Sequence, residues 1–299
     1  MRYSGAVATK KQLLGRVAAE IVGNGRLMTD RDCVEFLQWA LPTLRFRWPG
    51  FRKVRRIVCK RLDQRFRELD VSGPVAYRTY LEHHPEEWTE LERFCAIPIS
   101  RFYRDRGVFE TITRDVFPTL ARSAVARGES TLRCWSIGCA AGEEPYTLAI
   151  IWRLGITERF PCRLRIVATD VDGDLLARAG RGCYSPSSVK DVPAAWRTEA
   201  FTRSNGLYCV REEFRHAVVF LRQDLRTAAP DGHFQLIVCR NLAFTYFEDR
   251  LQRDVLGTIR THLAPDGVLV IGATESLPES VGGFLPWPGA QGIYRRTDD

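Results

Sequence analysis

Small and acidic residues follow two apolar segments in the C-terminal half of the chain. Residues 136–144 read SIGCAAGEE, and the small side chains around Gly138 allow the backbone to approach a ligand closely. Glu143 and Glu144 come directly afterwards. Asp170 ends the next apolar segment, where a carboxylate can accept hydrogen bonds from two ribose hydroxyls. This pattern predicts a nucleoside site, although a structural turn and an ordinary helix N-terminus would have the same composition.

The two glutamates bear on the kind of nucleoside. A pyrophosphate needs positive surroundings, and the spacing here is not the G-x-G-x-x-G of dinucleotide-binding folds, so NAD and ATP are disfavoured. S-adenosylmethionine carries a sulfonium and an ammonium group at its reactive end. Acidic surroundings suit these cations, so S-adenosylmethionine is the predicted cofactor.

The elements that must position these residues alternate between strands and helices. Four apolar segments, TLRCWSIG (131–138), LRIVATD (164–170), FQLIVCRN (234–241) and VLVIGATE (268–275), are separated by helix-like stretches. Strands buried on both faces that alternate with helices predict an α/β fold with a doubly wound, mostly parallel sheet. We expect this catalytic domain to cover residues 121–299. Turn-rich residues 183–222, with the hairpin-like pieces GLYCVR and AVVFLR, predict an inserted β-subdomain.

The N-terminal residues 1–120 predict a small helical domain, joined to the rest by a linker at 121–130. The net charge of the chain is +8, and residues 45–67 hold ten basic side chains and one acid. Apolar residues from Phe51 to Leu69 recur at helical spacing and leave the arginines outside. Arg52, Arg55 and Arg56 are therefore candidate contacts for an acidic partner, the alternative being an ordinary solvated helix face. Nucleic acid is disfavoured because aromatic residues that could stack on bases are not interleaved with the arginines.

Cysteine and histidine patterns argue against metal sites. The nine cysteines are scattered, and no two have C-x-x-C spacing, so we expect no disulfide framework and no zinc. Most should be small buried groups of a cytoplasmic protein. The five histidines include no pair at ligand spacing. No apolar run reaches the length of about 18 residues that a membrane span needs, and Arg16 and Glu20 interrupt the signal-like start at Lys10.

Five ordered blocks give the sequence a resemblance to a known family. The blocks WSIGCAAGEEPYTLAI, ATDVDGDLLARAGRGCYSPSSV, FQLIVCRNLAFTYFEDRLQ and LAPDGVLVIGATESL, with ISRFYRDRGVFETI upstream, closely resemble the chemotaxis-receptor methyltransferase (CheR-type) family. The resemblance runs from about residue 30 to 295. It includes RIVCKRLDQRFRELDVSGPVAYRTYL, which is similar to the family's basic helix and the helix after it.

The resemblance implies a class I, Rossmann-like methyltransferase that uses S-adenosylmethionine and methylates glutamate side chains of receptor helices. It implies arginines and a tyrosine at the acceptor: Arg104, Arg240 and Tyr246. The cofactor residues that it implies are Ser100, Arg104, Gly138, Glu143, Glu144, Asp170, Asp224, Leu225, Arg240 and Asn241.

Three departures from the family bear on the acceptor. Pro98 and Ser100 stand where the family has Asn and Thr, so an amide contact is lost. Thr245 occupies the position of the family's tyrosine, and Tyr246 follows one residue later, which indicates an insertion or a remodelled acceptor site. The linker between Arg104 and the glycine turn is also longer than expected.

The chemistry of the acceptor separates the possible functions. A glutamate, with an ordinary pKa of about 4.3, is already ionised at neutral pH and needs no general base. A hydroxyl or amine acceptor would need one, and the candidates are Tyr246, His233 and the pair Glu143 and Glu144. The leading hypothesis is therefore a protein-glutamate O-methyltransferase acting on an acidic helix. The alternatives are a methyltransferase of small molecules and a non-catalytic S-adenosylmethionine-binding module.

Overall fold

The computed structural model of the chain describes residues 28–279 and 282–297. The chain divides into two compact units, one ending at Ile97 and the other beginning at Pro98. The sequence predicts this boundary between residues 120 and 121. The structure differs because Phe109, Ile112 and Phe117 pack in the hydrophobic core of the second unit.

The described part of the first unit consists of five helices. They are α1 (Asp30–Ala40), α2 (Trp48–Phe51), α3 (Arg55–Glu68), α4 (Pro74–His83) and α5 (Glu87–Cys95). The side chains of Val58, Leu62 and Phe66 recur every four residues on α3 and are buried, as the apolar periodicity predicts. Ile57 belongs to the predicted stripe but is 38% exposed. It lies beside Arg56, on the solvent side of the helix.

Polar side-chain contacts join the helices of the first unit. The buried carboxylate of Glu87 accepts hydrogen bonds from Arg65 at 2.7 and 2.9 Å and from the Tyr77 hydroxyl at 2.7 Å. Arg55 donates to both carboxylate oxygens of Asp30, each at 2.9 Å. Arg55 is therefore engaged within the unit, whereas the other two residues predicted to contact a partner, Arg52 and Arg56, are exposed.

The second unit begins with a tight turn and a helical segment. The segment comprises α6 (Arg106–Thr111), one π-turn (Ile112–Val116) and α7 (Phe117–Ala126). The prediction of a linker at residues 121–130 is wrong for its first part. Ala121 and Ala124 are buried on the apolar side of α7, which runs to Ala126.

The core of the second unit is a seven-stranded sheet. Its strands, in spatial order, are β6 (Val218–Arg222), β2 (Arg163–Asp170), β1 (Thr131–Ile137), β7 (Phe234–Cys239), β8 (Leu263–Val270), β10 (Ile293–Arg296) and β9 (Phe284–Pro286). The first five strands are parallel to one another. β10 pairs antiparallel with β8, and β9 pairs antiparallel with β10. The predicted α/β class and the predicted mostly parallel sheet are confirmed. The chain crosses outward from β1 in both directions, so the carboxyl ends of β1, β2 and β7 meet at a topological switch point.

Helices cover both faces of this sheet, and those that pack against its strands are α7, α8 (Glu143–Gly155), α9 (Gly173–Arg181) and α13 (Asp249–His262). Shorter segments lie between them: a 3-10 turn (Thr157–Arg159), α10 (Ala194–Ala200), α11 (Glu212–Arg215) and α12 (Ala243–Tyr246). On β1, Leu132 and Cys134 face the core that α7 and α8 complete, whereas Trp135 faces His262 of α13. This alternation explains why β1 reads as a continuous apolar run.

A small antiparallel sheet is inserted after α9. It consists of β3 (Cys183–Tyr184), β5 (Leu207–Val210) and β4 (Phe201–Ser204), in that order. The predicted hairpin partner AVVFLR does not belong to it. Val218–Arg222 instead pairs in parallel with β2 as the edge of the large sheet, because Phe220 packs against Tyr146 of α8.

The structure corrects the expectation that disulfides are absent. Cys33 and Cys59 link α1 to α3, and Cys183 and Cys209 link β3 to β5. Each pair is 26 residues apart, a separation that carries no recognisable spacing signal. The remaining cysteines are free and buried, as predicted: Cys95, Cys134, Cys139, Cys162 and Cys239.

The expectations of no metal site and no membrane-spanning helix can be compared with the structure over the described residues alone. Within residues 28–279 and 282–297, no cluster of side chains has the composition of a metal site. Over the same ranges, no helix is both long enough and apolar enough to cross a membrane. The signal-like start at Lys10 lies outside the described residues.

Candidate active site

The turn between β1 and α8 is shaped by its small residues. The backbone N–H groups of Gly138 and Cys139 both donate to the carbonyl of Thr169 on β2, at 2.8 and 3.0 Å. Gly142 has a φ of +91°, and a Cβ there would lie 2.9 Å from the Ala179 Cβ. Glycine is therefore required where α8 begins.

Asp170 joins the β1 turn to the end of β2. One carboxylate oxygen accepts a hydrogen bond from the Ala140 N–H at 2.8 Å, and the other accepts one from the Asp172 N–H at 3.0 Å. A carboxylate has about four acceptor sites, so Asp170 can accept further hydrogen bonds from neighbouring hydroxyl groups. Burial raises the pKa of Asp170, and hydrogen bonds from the backbone of Asp172, Ala140 and Val171 oppose this shift.

Glu143 and Glu144 occupy different surroundings although they are adjacent. Glu144 accepts hydrogen bonds from the Ser136 hydroxyl at 2.8 Å and from Arg240 at 3.2 Å. The Oε2 atom of Glu143 is buried and has no hydrogen-bond donor among the described residues. Burial raises the pKa of both groups, an effect that Arg240 opposes at Glu144 and Ser100 opposes at Glu143.

Arg240, at the end of β7, connects three parts of the second unit. Its Nη1 donates to Glu144, and its Nη2 donates to the Asp105 carboxylate at 2.6 Å and to the Arg104 carbonyl at 2.7 Å. The guanidinium also lies 4.9 Å from the centre of the Phe109 ring. With only 3% of its side chain exposed, Arg240 holds the turn that carries Arg104.

The turn before α6 places Ser100 and Arg104. Tyr103 and Asp105 have φ values of +56° and +62°, so the backbone folds back sharply. The Tyr103 N–H donates to the Thr147 hydroxyl at 3.3 Å. The half-buried guanidinium of Arg104 donates to the Ile99 carbonyl within the same turn.

The short helix α12 carries Tyr246 into this region. Burial raises the pKa of the half-buried Tyr246 hydroxyl, and the charges of Arg104 and Glu275 also act on it. The preceding residue, Thr245, donates its hydroxyl to Glu275. The charge of Arg104 therefore reaches the Tyr246 hydroxyl, whereas the Thr245 hydroxyl is bound to Glu275.

The remaining predicted residues border the same switch point. Asn241 follows Arg240 with a φ of +53°, and its N–H donates to Glu275 at 2.9 Å. The Asp224 carboxylate is held by Arg226, with contacts from 2.6 to 3.0 Å, and Leu225 is buried. Although burial opposes the shift, Arg226 lowers the pKa of Asp224.

Two residues of this region were missed, and one candidate lies elsewhere. Asp105 binds Arg240, and Glu275 binds the α12 turn. Neither residue was predicted from the sequence. The rule that identified Asp170 would also have found Glu275, because it follows β8 at the carboxyl edge of the sheet. His233 is exposed and precedes β7, at the opposite edge. His233 is therefore not placed to act as a general base, and that prediction is wrong.

The residues present fit S-adenosylmethionine. The buried Oε2 of Glu143 lacks a donor, and an ammonium group would supply one. Asp170 would take the ribose hydroxyls, beside the turn that contains Gly138. When bound, the cofactor supplies a methyl group activated by its sulfonium. A doubly wound sheet with this site defines the class of S-adenosylmethionine-dependent methyltransferases.

Comparison with known proteins assigns the family. Residues 99–290 match "CheR methyltransferase, SAM binding domain". The chain is 31% identical over 206 residues to a chemotaxis protein methyltransferase of Listeria innocua, a match that covers 68% of this chain and 76% of that protein. It is 30% identical over 233 residues to chemotaxis protein methyltransferase 2 of Vibrio cholerae, covering 75% and 78%. The chain belongs to the CheR methyltransferase family and is an S-adenosylmethionine-dependent methyltransferase.

Two further matches differ in how much of each protein they cover. An uncharacterized 104.1 kDa protein of Rhodobacter capsulatus is 33% identical over 226 residues, which cover 74% of this chain but 23% of that protein. Among solved structures, N-methyltransferase NodS from Bradyrhizobium japonicum aligns with a TM-score of 0.34 at 17% identity, covering 65% of this chain and 100% of that one. This TM-score is too low to add to the assignment.

Proposed function

We propose that this methyltransferase transfers its methyl group to a glutamate carboxylate on an acidic protein helix. The main support is the state of the possible bases. Glu144 is occupied by Ser136 and Arg240, Glu143 is buried, and His233 lies at the far edge of the sheet. A carboxylate acceptor is ionised without any base, so it suits a site in which these three residues are not placed to act as one.

The groups beside the predicted methyl position suit such an acceptor. Arg104 is half-buried and can orient a carboxylate by charge-assisted hydrogen bonds. Tyr246 keeps its proton at neutral pH because burial raises its pKa. It can therefore donate a hydrogen bond to the second carboxylate oxygen. Methyl transfer is an in-line displacement, for which the residues must align the acceptor and exclude water.

The first unit supplies a surface for an acidic helix. Five basic side chains are exposed on or just before α3: Arg52, Lys53, Arg56, Lys60 and Arg67. All but Lys53 recur at intervals of four or seven residues, which are close to whole helical turns. Arg55, Arg61 and Arg65 have hydrogen-bonded partners within the unit and are not part of this surface. We name Arg52, Arg56, Lys60 and Arg67 the basic face. The relatives named chemotaxis protein methyltransferases support a receptor helix as the partner.

The test is transfer of labelled methyl to receptor signalling domains. Wild-type protein should form base-labile esters, and Arg52→Glu with Arg56→Glu should abolish them while the affinity for S-adenosylhomocysteine is unchanged. The matched control is Arg250→Glu with Arg253→Glu, which reverses two exposed charges on α13. Equal transfer by both double variants, or the absence of esters with wild-type protein, would refute the proposal.

A small-molecule acceptor is the second candidate. A groove of about 400 Å³ lies beside Arg106, Ala273 and Gln291, within the size range of small-molecule sites. Under this alternative, the basic face would have no role in turnover. Charge reversal at Arg52 and Arg56 would then leave the rate with a small acceptor unchanged.

A further inference from the structure

Glu275 ties together three backbone segments at the carboxyl edge of the sheet. Its Oε2 accepts hydrogen bonds from the Asn241 N–H at 2.9 Å and from the Gly272 N–H at 2.6 Å, and its Oε1 accepts the Thr245 hydroxyl. The donors come from the end of β7, the end of β8 and helix α12. One carboxylate therefore sets the relative position of these three segments.

The surrounding backbone is built to accept this carboxylate. Gly272 cannot be replaced without displacing it, because a Cβ there would lie 2.8 Å from the Glu275 Oε2 and 2.9 Å from the Asn241 Oδ1. Asn241 adopts a left-handed conformation that is uncommon for a residue with a side chain, and its N–H bond to Glu275 stabilises that conformation. Glu275 thus holds the bend from which Arg240 and α12 both depart.

Thr245 links this carboxylate to α12. By the resemblance it occupies the position of the family's tyrosine, and its hydroxyl donates to Glu275. The α12 turn closes through the bond from the Tyr246 N–H to the Leu242 carbonyl at 2.9 Å. Fixing Thr245 within a single helical turn therefore fixes the direction in which the next side chain, Tyr246, leaves the backbone.

Glu275 also borders a groove. This groove, beside the end of β8, is lined by Glu275, Ala273 and Tyr294, and a neighbouring groove shares Ala273 and reaches Asp105, the partner of Arg240. Glu275 therefore lies between these grooves and the end of β7, where the Asn241 N–H binds it.

We propose that Glu275, acting through Thr245, is a positioning residue that orients Tyr246 toward the methyl acceptor. The pair sets the direction of Tyr246, which lies one residue beyond the position of the family's tyrosine. This inference concerns orientation alone, and Glu275 itself takes no part in bond making. It rests on the proposed role of Tyr246 at the acceptor.

The test compares Thr245→Val, which removes the hydroxyl at similar volume, with Thr245→Ser, which keeps it. Loss of a hydrogen bond to a charged group should lower the kcat for the methyl acceptor by about tenfold. Thr245→Ser should stay within about twofold of wild type, and the S-adenosylhomocysteine Kd should change less than twofold in both variants. Wild-type kcat in Thr245→Val, or an equal loss of cofactor affinity, would overturn the proposal.

A second measurement does not depend on the acceptor. Hydrogen exchange of the backbone amides in residues 241–247 should be faster in Thr245→Val than in wild type, and Thr245→Ser should restore the slower rate. Unchanged exchange in Thr245→Val would overturn the role of Glu275 even if no acceptor is found. If wild-type protein methylates no receptor domain but the exchange differs as expected, the proposed substrate fails and the positioning role stands.

Discussion

Three carboxylates, Glu143, Glu144 and Asp170, converge at the ends of β1 and β2. Burial raises the pKa of each, so ionising any of them in the ligand-free site costs free energy. Arg240 neutralises Glu144, and backbone N–H groups serve Asp170. Glu143 has the least compensation. A cationic ligand would remove this cost, which links cofactor binding to the protonation of the site.

Asp170→Ala should abolish measurable binding of S-adenosylhomocysteine. The substitution removes both the acceptor for the ribose hydroxyls and the bond that holds the Ala140 N–H. Isothermal titration calorimetry should give a Kd weaker by at least about a hundredfold, since two bonds to a charged group are lost. Asp174→Ala, on the exposed first turn of α9, is the control and should bind like wild type. Retained affinity in Asp170→Ala would count against the ribose assignment.

The affinity for S-adenosylhomocysteine should rise with pH through the raised pKa of Glu143. Burial holds the folded-state pKa of Glu143 above its ordinary value, so the free protein keeps this proton to a higher pH, and the ligand's ammonium must displace it. Binding therefore strengthens as pH rises through the raised pKa and then levels off. Stability of the free protein changes in the opposite direction, because ionising a group with a raised pKa destabilises the fold. Glu143→Gln should flatten the pH dependence of Kd, and an unchanged slope in that variant would contradict the assignment.

At the scale of elements, the sequence predicts what depends on local periodicity. The four apolar strands and the buried stripe of α3 follow from patterns of side chains on a single element, and β1, β2, β7 and β8 are confirmed. The edge strand β6 was assigned to the wrong sheet, because its pairing with β2 depends on Phe220 meeting Tyr146 from a distant helix. The two disulfides were missed for the same reason. Pairing over 26 residues is a property of packing and not of spacing.

The same distinction applies to the active site. Asp170 and the glycine turn could be predicted because they stand at strand ends. The partners of Arg240 could not, since Asp105 is 135 residues away in sequence and reaches it through a turn with positive φ values. Family resemblance identified Arg104, but its orientation depends on Tyr103 and Asp105, whose backbone conformation has no sequence signature.

The first unit should depend on the buried contact between α4 and α5. Tyr77→Phe removes the hydroxyl that donates to Glu87 and leaves that carboxylate with fewer donors in a buried setting. We expect the free energy of unfolding to fall by about 1–2 kcal/mol, measured by urea denaturation. Tyr80→Phe, the same change one helical turn further along α4 at a half-buried residue, should cost less than about 0.5 kcal/mol. Equal losses in the two variants would show that the hydroxyl of Tyr77 is not the cause.

At the scale of the whole molecule, charge and catalysis are divided between the two units. Residues 1–97 hold 18 basic and 12 acidic side chains, and residues 98–299 hold 26 and 24. The excess is therefore concentrated in the unit that carries the basic face. The second unit contains every predicted cofactor residue and is close to neutral. Recognition of an acidic partner and binding of the cofactor should accordingly respond differently to ionic strength.

Salt should weaken turnover of an acidic protein acceptor and leave cofactor affinity nearly unchanged. The charges of the basic face are exposed, and the Debye length falls from about 10 Å at 0.1 M salt to about 3 Å at 1 M, so their attraction for an acidic helix is screened. We expect kcat/KM for the acceptor to drop by about tenfold between 0.05 and 0.5 M NaCl, mostly through slower association. The Kd of S-adenosylhomocysteine should change by less than about twofold, because buried charge pairs are screened much less than exposed ones.

In Arg52→Glu with Arg56→Glu the salt dependence of kcat/KM should vanish or reverse, whereas Arg250→Glu with Arg253→Glu should keep it. A steep slope that persists without Arg52 and Arg56 would place the docking surface elsewhere on the molecule.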